Sequence, residues 1–259
     1  MKTFLRSFWS GTVASTLPEW VKKILLRLRD LGNVVRAVPY HGKGRFCPVC
    51  GKSSRRFRNF RKRKDVICAH CGAFGRHRLL WLFLQKKTNF FDGKPKKMLH
   101  VAPEYCFESR FKELLGGDYL TADLFSPRAM VKMDITDIQY ADNSFDVIYC
   151  SHVLEHVVDD KQAMREFFRV LKNDGWAILL VPITSEKTFE DSSIVDPKER
   201  LKAFGDRDHV RRYGPDYVER LGDAGFTVKI TTVSDLADTN DSVKMRLPLA
   251  GGDIYYCTK

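Results

Sequence analysis

The 259-residue sequence predicts an α/β protein with a doubly wound, mostly parallel seven-stranded sheet and a small N-terminal module of the zinc-ribbon kind. Three observations lead to this prediction. From residue 98 onward, short apolar segments alternate with helical segments, as in parallel sheets with crossover helices. Two Cys-x-x-Cys pairs precede that region, and the chain's positive charge is concentrated in its first third.

The charge asymmetry predicts two modules with different partners. Residues 1–97 contain 24 Lys and Arg against 4 Asp and Glu, whereas residues 98–259 contain 20 against 28. A basic module suits RNA, an anionic membrane surface or a phosphorylated substrate, and the alternative is a solvated surface that aids solubility. The sequence shows neither a membrane-spanning apolar run nor a secretion signal, which predicts a reducing, cytoplasmic location.

The first predicted unit, residues 1–40, is a basic helical segment. Over residues 18–36, apolar side chains recur at helical spacing and Lys and Arg fill much of the other face. Such a helix can lie on an anionic membrane, so a peripheral contact with the inner face of the membrane is expected.

The second predicted unit, residues 41–94, carries a metal site. Its cysteines follow the pattern C-x2-C-x17-C-x2-C, which is typical of a closed tetrahedral zinc site. We therefore expect one structural zinc, and a redox dithiol is the alternative. Glycines follow the second cysteine of each pair, where a turn needs positive φ. His70 and His77 are interpreted as surface or packing residues, and the apolar helix 76–87 as the contact with the next unit. The predicted zinc ligands are Cys47, Cys50, Cys68 and Cys71.

The third predicted unit, residues 95–259, supplies the sheet, after a linker over residues 88–97. The last two strands are joined by a segment with no evident helix, which predicts that the seventh runs antiparallel to the sixth. The strands are expected at 98–102, 118–123, 131–134, 145–151, 176–182, 226–233 and 254–258, and the helices at 104–115, 161–172 and 214–224.

Residues 98–182 resemble class I S-adenosylmethionine-dependent methyltransferases that act on small molecules. The resemblance is carried by Asn-Ser-Phe-Asp at 143–146, by His-Val-Leu-Glu-His at 152–156 and by Glu-x-x-Arg-Val-Leu-Lys-x-x-Gly at 166–175. It implies a Rossmann-like fold, S-adenosylmethionine as the cofactor and methyl transfer as the reaction.

The resemblance also implies cofactor contacts at the carboxyl ends of the strands. Asp123, with Leu124 beside it, corresponds to the family's ribose ligand. Asp134 or Ile135 corresponds to the adenine contact, and Ser151 and His152 lie where the family binds the methionine tail.

The loop after the first strand departs from the family. Residues 100–106 read His-Val-Ala-Pro-Glu-Tyr-Cys, where the family has Asp-x-Gly-x-Gly-x-Gly. Ala102 and Glu104 therefore stand where glycines normally let the backbone approach the ligand. The cofactor then sits differently, or Glu104 replaces the glycine loop by binding the methionine ammonium, or cofactor binding has been lost.

Methyl transfer to oxygen requires removal of a proton, so a base near the sulfonium is expected. The candidates are His152, His156 and His209, with Glu155 orienting a histidine. The segment 183–214 is expected to cover the site, where Arg211 and Arg212 grip a phosphate or carboxylate or form a salt-bridged loop.

Three functions follow from these patterns. The first is O-methylation of a small molecule or of a sugar or glycan intermediate, either of which could be phosphorylated or lipid-linked. The second is RNA methylation, in which the basic stretch 55–64 grips phosphates while Phe57 and Phe60 stack on bases. The third is a non-catalytic, zinc-dependent interaction protein on a degenerate methyltransferase fold.

Overall fold

The computed structural model describes Val35, residues 37–248 and residues 252–259. The predicted helix over residues 18–36 lies outside this part of the chain, except for Val35. Among the described residues, no helix combines the length and apolar character that crossing a membrane requires.

The cysteine-rich module consists of two short antiparallel hairpins and a helix. The first hairpin pairs β1 (Arg45–Cys47) with β2 (Lys52–Ser54), and the second pairs β3 (Arg58–Phe60) with β4 (Arg63–Ile67). The helix α1 (Gly75–Lys87) follows, as predicted. Its buried face includes Leu79, Leu80 and Phe83, and it packs the module against the main sheet.

The main sheet has seven strands, which confirms the predicted fold class. Its strands are β5 (Met98–Val101), β6 (Tyr119–Asp123), β7 (Val131–Lys132), β8 (Phe145–Ser151), β9 (Leu171–Leu180), β12 (Thr227–Thr231) and β13 (Ile254–Thr258). The spatial order is β7-β6-β5-β8-β9-β13-β12. The strands from β7 to β9 are parallel, and β13 runs antiparallel to both of its neighbours, as predicted.

The strand order places a topological switch between β5 and β8. From β5 the chain proceeds to β6 and β7 on one side, and it then returns to pair β8 with the other side of β5. In open α/β sheets, ligands bind in the crevice outside the carboxyl ends of the strands at such a switch. The site is therefore expected beyond Val101 and Ser151.

Helices flank the sheet, and a small hairpin lies beyond β9. The hairpin pairs β10 (Phe189–Glu190) with β11 (Arg211–Arg212). The helices after α1 are α2 (Tyr105–Leu115), α3 (Asp160–Val170), α4 (Pro197–Phe204), α5 (Tyr217–Asp223) and α6 (Thr239–Met245).

The module and the sheet share one hydrophobic core. It runs from Cys47 and Phe57 in the module through Leu99 and Phe145 in the sheet to Cys257 in the last strand. Trp81 of α1 stacks on Phe107 and Phe111 of α2, each at 6.2 Å between ring centroids. The linker 88–97 contributes Phe90, which is 1% exposed, so this segment is packed rather than extended between the units.

Two element predictions were wrong. The connection between β12 and β13 contains α6, whose first turn is capped by the Asp238 carboxylate accepting from the Asp241 N–H. This helix buries Met245 and otherwise shows little apolar periodicity, so no helical pattern is visible there in the sequence. In addition, β9 begins at Leu171, five residues before the predicted strand, because residues 171–175 continue the extended chain beside β8.

Candidate active site

Two loops at the switch point hold non-glycine residues in the left-handed backbone region. Ala102, after β5, has φ +50°, and its N–H donates to the Ala122 carbonyl at 2.8 Å. His152, after β8, has φ +56°, and its N–H donates to the Leu180 carbonyl at 2.8 Å. Left-handed backbone costs about 1–2 kcal/mol for a residue with a Cβ. The loop after β5 therefore keeps a conformation that glycine usually provides, although its glycines are replaced.

Glu104 is the centre of a polar network across the two central strands. One carboxylate oxygen, Oε2, accepts from His100 Nε2 at 2.8 Å, and Oε1 accepts from the Tyr149 hydroxyl at 2.9 Å. The Tyr119 hydroxyl hydrogen-bonds the other ring nitrogen of His100 at 2.8 Å. Burial alone would raise the pKa of Glu104, but the hydrogen bond and charge of His100 hold that pKa below its usual value. A buried, ionised carboxylate therefore stands in the loop that normally contains the glycines.

The helix α1 brings His77 to the same place. Its Nε2 lies 3.8 Å from Glu104 Oε1, and its Nδ1 accepts from the Phe74 N–H at 3.2 Å. Burial, with the positive charge of Arg76, lowers the pKa of His77 to about 3, so the ring is neutral at pH 7. Sequence reasoning interpreted His77 as a packing residue. The structure shows that it also lies beside Glu104 in the loop after β5.

Each of the two carboxylates predicted to bind the nucleoside accepts hydrogen bonds through one oxygen from the turn that follows it. Asp123 Oδ1, at the end of β6, accepts from the N–H groups of the two residues 125 and 126, at 2.8 and 2.6 Å. Asp134 Oδ1, after β7, accepts from the N–H and hydroxyl of Thr136 at 2.9 and 2.7 Å. Leu124 is partly exposed and Ile135 is 5% exposed. The turns fix both carboxylates beyond the carboxyl ends of β6 and β7.

The loop after β8 contains buried polar atoms that have no hydrogen-bond partner among the described residues. These atoms are Ser151 Oγ and Glu155 Oε2. In α1, His77 Nε2 and Arg76 Nε are likewise buried without a hydrogen-bond partner. His152 Nδ1 lies 3.3 Å from Glu155 Oε1, and the His152 side chain is 37% exposed. Because buried polar groups are normally paired, Ser151 Oγ at the end of β8 and Glu155 Oε2 in the following turn are suited to contacts with a polar ligand or an ion.

The other two predicted bases contact each other. The rings of His156 and His209 meet edge to face with centroids 4.6 Å apart, and His156 Nδ1 lies 3.2 Å from the Asp208 carbonyl oxygen. The Glu155 carboxylate joins them, since one ligand atom from each of the three lies within 4.8 Å of the others. Glu155 therefore lies beside all three predicted bases, with one oxygen directed at His152.

The predicted anion-binding role of Arg211 was wrong. Arg211 is 3% exposed and donates to the Leu154, Val157 and Val158 carbonyls. It also forms an ion pair with Glu190 at 2.9 Å. Arg212 donates to the Thr184 carbonyl. The alternative of a salt-bridged loop describes this segment, and Arg211 holds it over the Leu154–His156 turn.

The four paired cysteines come together as the sequence predicts. The Sγ atoms of Cys47 and Cys71 lie 3.7 Å apart, and those of Cys50 and Cys68 also lie 3.7 Å apart. A disulfide would need about 2.05 Å. A tetrahedral site with Zn–S bonds of about 2.3 Å has edges of about 3.8 Å, so the thiols fit a zinc ion. Both following glycines have positive φ, +66° at Gly51 and +79° at Gly72, as predicted.

The hairpin of β3 and β4 carries a run of exposed positive charge. Arg61, Lys62, Arg63 and Lys64 are all exposed. The prediction that Phe57 stacks on bases was wrong, because Phe57 is fully buried beneath the Arg78 guanidinium, 4.2 Å from its ring centroid. Phe60 is 37% exposed and packs edge to face on Phe74 at 5.2 Å.

One region of this chain is similar to known methyltransferases. The model of the methyltransferase domain family matches residues 107–179. Phosphoethanolamine N-methyltransferase 1 of Arabidopsis thaliana is 37% identical over 95 residues, which cover 36% of this chain and 18% of that enzyme. The methyltransferase YcgJ of Bacillus subtilis is 34% identical over 74 residues, 29% of this chain and 28% of that protein.

The crystal structure of an S-adenosylmethionine-dependent methyltransferase from Mesorhizobium loti gives a TM-score of 0.49 at 16% identity, covering 70% of this chain and 98% of that one. The stretches shared with the curated relatives span only a minor part of those proteins. The family match and the named relatives nevertheless support the predicted enzyme class, an S-adenosylmethionine-dependent methyltransferase.

Proposed function

We propose that this protein transfers the methyl group of S-adenosylmethionine to a hydroxyl oxygen of a small molecule, or of a sugar or glycan intermediate. The observation that carries the proposal is the pair formed by His152 and Glu155 at the carboxyl end of β8, with Nδ1 and Oε1 3.3 Å apart. A carboxylate beside Nδ1 favours the tautomer that leaves Nε2 free to accept a proton. An oxygen acceptor needs such a base.

The cofactor would lie across the switch point, where residues from three strand ends and the loop after β5 face the crevice. Asp123 would accept the ribose hydroxyls, and Asp134 with Ile135 would border the adenine. Ser151 and Glu104 would bind the methionine part, since a hydroxyl without a partner and an ionised carboxylate suit its polar groups and its ammonium. Ala102 and Leu124 would contribute backbone to the same crevice.

Bound S-adenosylmethionine supplies an activated methyl group. Transfer of that methyl group to the acceptor oxygen would leave the electron pair of the broken carbon–sulfur bond on the sulfur of S-adenosylhomocysteine. His152 takes the acceptor proton. Holding the acceptor in line is the protein's main contribution, because positioning can supply about 7–11 kcal/mol.

Replacing His152 tests the proposed base. Asn is the suitable substitution because it tolerates the positive φ of this position. With labelled S-adenosylmethionine and a panel of hydroxyl acceptors, we expect His152→Asn to lower turnover by about 10²–10⁴-fold, the usual contribution of a general base. The control His70→Asn, in the cysteine module, should leave turnover unchanged. Turnover that is undiminished in His152→Asn would exclude this residue as the base.

We also propose that the four cysteines bind one structural zinc ion. The thiol spacing supports this assignment, and a closed four-thiolate shell leaves no position for catalysis. Because Phe57, Leu79 and the sheet share one core with the cysteines, the ion would also stabilise the contact between the catalytic domain and α1, the module's helix that carries His77.

Loss of one ligand tests the zinc assignment. We expect Cys47→Ser to lower the zinc content and to destabilise the chain, because metal binding is coupled to folding. The control Cys257→Ser changes a buried cysteine in β13 that is not one of the four clustered thiols, and it should keep its zinc. The measurement is elemental analysis of the purified variants, and a full zinc complement in Cys47→Ser would refute the ligand set.

The exposed cations of the β3–β4 hairpin favour RNA as a second class of acceptor. Four of them are consecutive in the chain, at residues 61–64, and phosphate contacts by these side chains would make affinity fall steeply with salt. The burial of Phe57 removes one of the two predicted stacking residues, so we rank this function below the first. Tight binding of a generic RNA, with a steep decrease across a salt series, would reverse that order.

A further inference from the structure

Three potential metal ligands meet beside the proposed base. Glu155 and His156 lie in the short helical turn Leu154–His156, and His209 lies in the loop that precedes β11. The Val210 N–H donates to the Glu155 carbonyl at 2.9 Å, which fixes this loop against the turn. One ligand atom from each of Glu155, His156 and His209 lies within 4.8 Å of the other two.

The Glu155 carboxylate is buried, and one of its two oxygens accepts no hydrogen bond from the described residues. Glu155 is 2% exposed, and its Oε1 hydrogen-bonds His152. Its Oε2 is buried and has no hydrogen-bond partner in the described part of the chain. Leaving a buried charged group unpaired is costly, and coordination of a metal ion removes that cost.

The His156 ring is oriented as metal ligands commonly are. Its Nδ1 lies 3.2 Å from the Asp208 carbonyl oxygen, which can only accept, so Nδ1 carries the proton. The other nitrogen, Nε2, then has a free lone pair. Histidine ligands usually donate their second N–H to a carbonyl or carboxylate in this way.

We propose that Glu155, His156 and His209 bind one divalent transition-metal ion, separate from the cysteine cluster. Two imidazoles and one carboxylate are a donor set found in catalytic zinc sites, where a further position remains open. Imidazole nitrogen favours zinc and similar ions over magnesium and calcium, which prefer oxygen ligands.

This site would deepen the proposed O-methylation, and its catalytic role rests on that function. The ion's open position can hold the acceptor hydroxyl and lower the pKa of that group, as zinc does for water. The acceptor proton still passes to His152, which shares Glu155 with the ion. His156 and His209 would thus bind the ion while His152 acts as the base.

Metal titration tests the site without the cofactor or an acceptor. The full chain is loaded with zinc, stripped of weakly held metal on a chelating resin, and titrated calorimetrically with Zn²⁺ and with Co²⁺. We expect one further equivalent beyond the thiolate site. His209→Ala and Glu155→Gln should weaken that step by more than about 100-fold, since even changes outside the ligand shell cost about 10–100-fold. The control His41→Ala, which changes an exposed histidine in the module, should leave the affinity of this second binding step unchanged.

Two outcomes would overturn the proposed metal site. A wild-type chain that takes up no further metal lacks the site, and a further equivalent that persists in both variants binds elsewhere. Thermal melts of the zinc-loaded variants check their folding, and Glu155→Gln keeps the side-chain shape if His209→Ala is unstable. A second metal in a protein without transferase activity would leave the metal site standing and refute the proposed function instead.

Discussion

At the scale of single residues, the candidate site differs in the loop after β5 from the methyltransferases that the sequence resembles. Ala102 keeps a left-handed backbone with φ +50°, so the glycine's conformation persists without the glycine. Glu104 fills the remaining space with a carboxylate that His100 and Tyr149 hold at 2.8 and 2.9 Å. A fixed negative charge therefore replaces backbone that the family leaves open to the ligand, which supports a contact with the methionine ammonium.

His77 gives a pH-dependent prediction at this scale. Burial lowers its pKa from 6.5 to about 3, so below pH 6.5 the unfolded chain binds a proton that the folded chain does not. Stability is therefore lost as the pH falls through this range, at up to about 1.4 kcal/mol per unit. Between pH 8 and pH 5, the wild type should lose about 2 kcal/mol more unfolding free energy than His77→Asn.

Urea denaturation of both proteins at several pH values measures this difference. At pH 8 the histidine is neutral in both the folded and the unfolded chain. The difference in unfolding free energy between the wild type and His77→Asn at that pH therefore reports lost packing only. Equal slopes below pH 6.5 for the wild type and His77→Asn would show that His77 titrates normally and is not held neutral beside Glu104.

Sequence reasoning found the types of ligand side chain but not all of their partners. The cysteine spacing predicted a cluster that the structure shows, because four thiols at fixed intervals leave few alternatives. The sequence left two roles open for Arg211, because a pair of arginines in a loop has the same sequence pattern whether it binds an anion or, as the structure shows for Arg211, backbone carbonyls. The proximity of Glu155 to His209 depends on a connection of more than 50 residues, which local patterns do not encode.

At the scale of elements, α1 joins the module to the sheet through one buried arginine. Arg78 is 0% exposed and donates to the carbonyls of Ala73 at 2.6 Å and Met245 at 2.5 Å. It also donates to the carbonyls of residues 66 and 246, at 3.2 and 3.1 Å. One side chain thus ties the second hairpin, its own helix and the end of α6 together.

Replacing this arginine should destabilise the whole fold. Arg78→Met keeps much of the side chain's length but leaves buried carbonyls unpaired, each at a cost of about 1–3 kcal/mol. We expect an overall loss of about 3 kcal/mol or more in unfolding free energy. Lys87→Met, an exposed position on the same helix, should change stability by less than about 0.5 kcal/mol. Chemical denaturation compares the two, and equal stabilities would contradict the role given to Arg78.

The elements that the sequence predicted well are those with strong apolar patterns. The strands β5 and β8 are almost wholly buried, and their boundaries agree with the predicted ones within one residue. The helix α6 was missed because it is held by a capping aspartate and by contacts with the module rather than by an apolar stripe. Tertiary contacts of this kind override local propensity.

For the protein as a whole, the topology gathers the candidate site from distant parts of the chain. Because β5 and β8 are adjacent and parallel, the loops that contain Glu104 and His152 emerge at the same edge. The module's helix adds His77 from the N-terminal side, and the segment before β11 adds His209. Since the module and the sheet share one core, we expect loss of the cysteine cluster to destabilise the loops of the proposed cofactor site as well.

The most direct test of the proposed enzyme is calorimetric titration of the zinc-loaded protein with S-adenosylmethionine. We predict one cofactor per chain, with affinity lowered by about 10–100-fold in Asp123→Asn, because hydrogen bonds to a charged group contribute about 1.5–3 kcal/mol. Asp137→Asn, an exposed carboxylate nearby, should bind as the wild type does. A folded wild-type protein that gives no heat with S-adenosylmethionine or S-adenosylhomocysteine would contradict the enzymatic function and leave a zinc-dependent interaction protein on a methyltransferase fold.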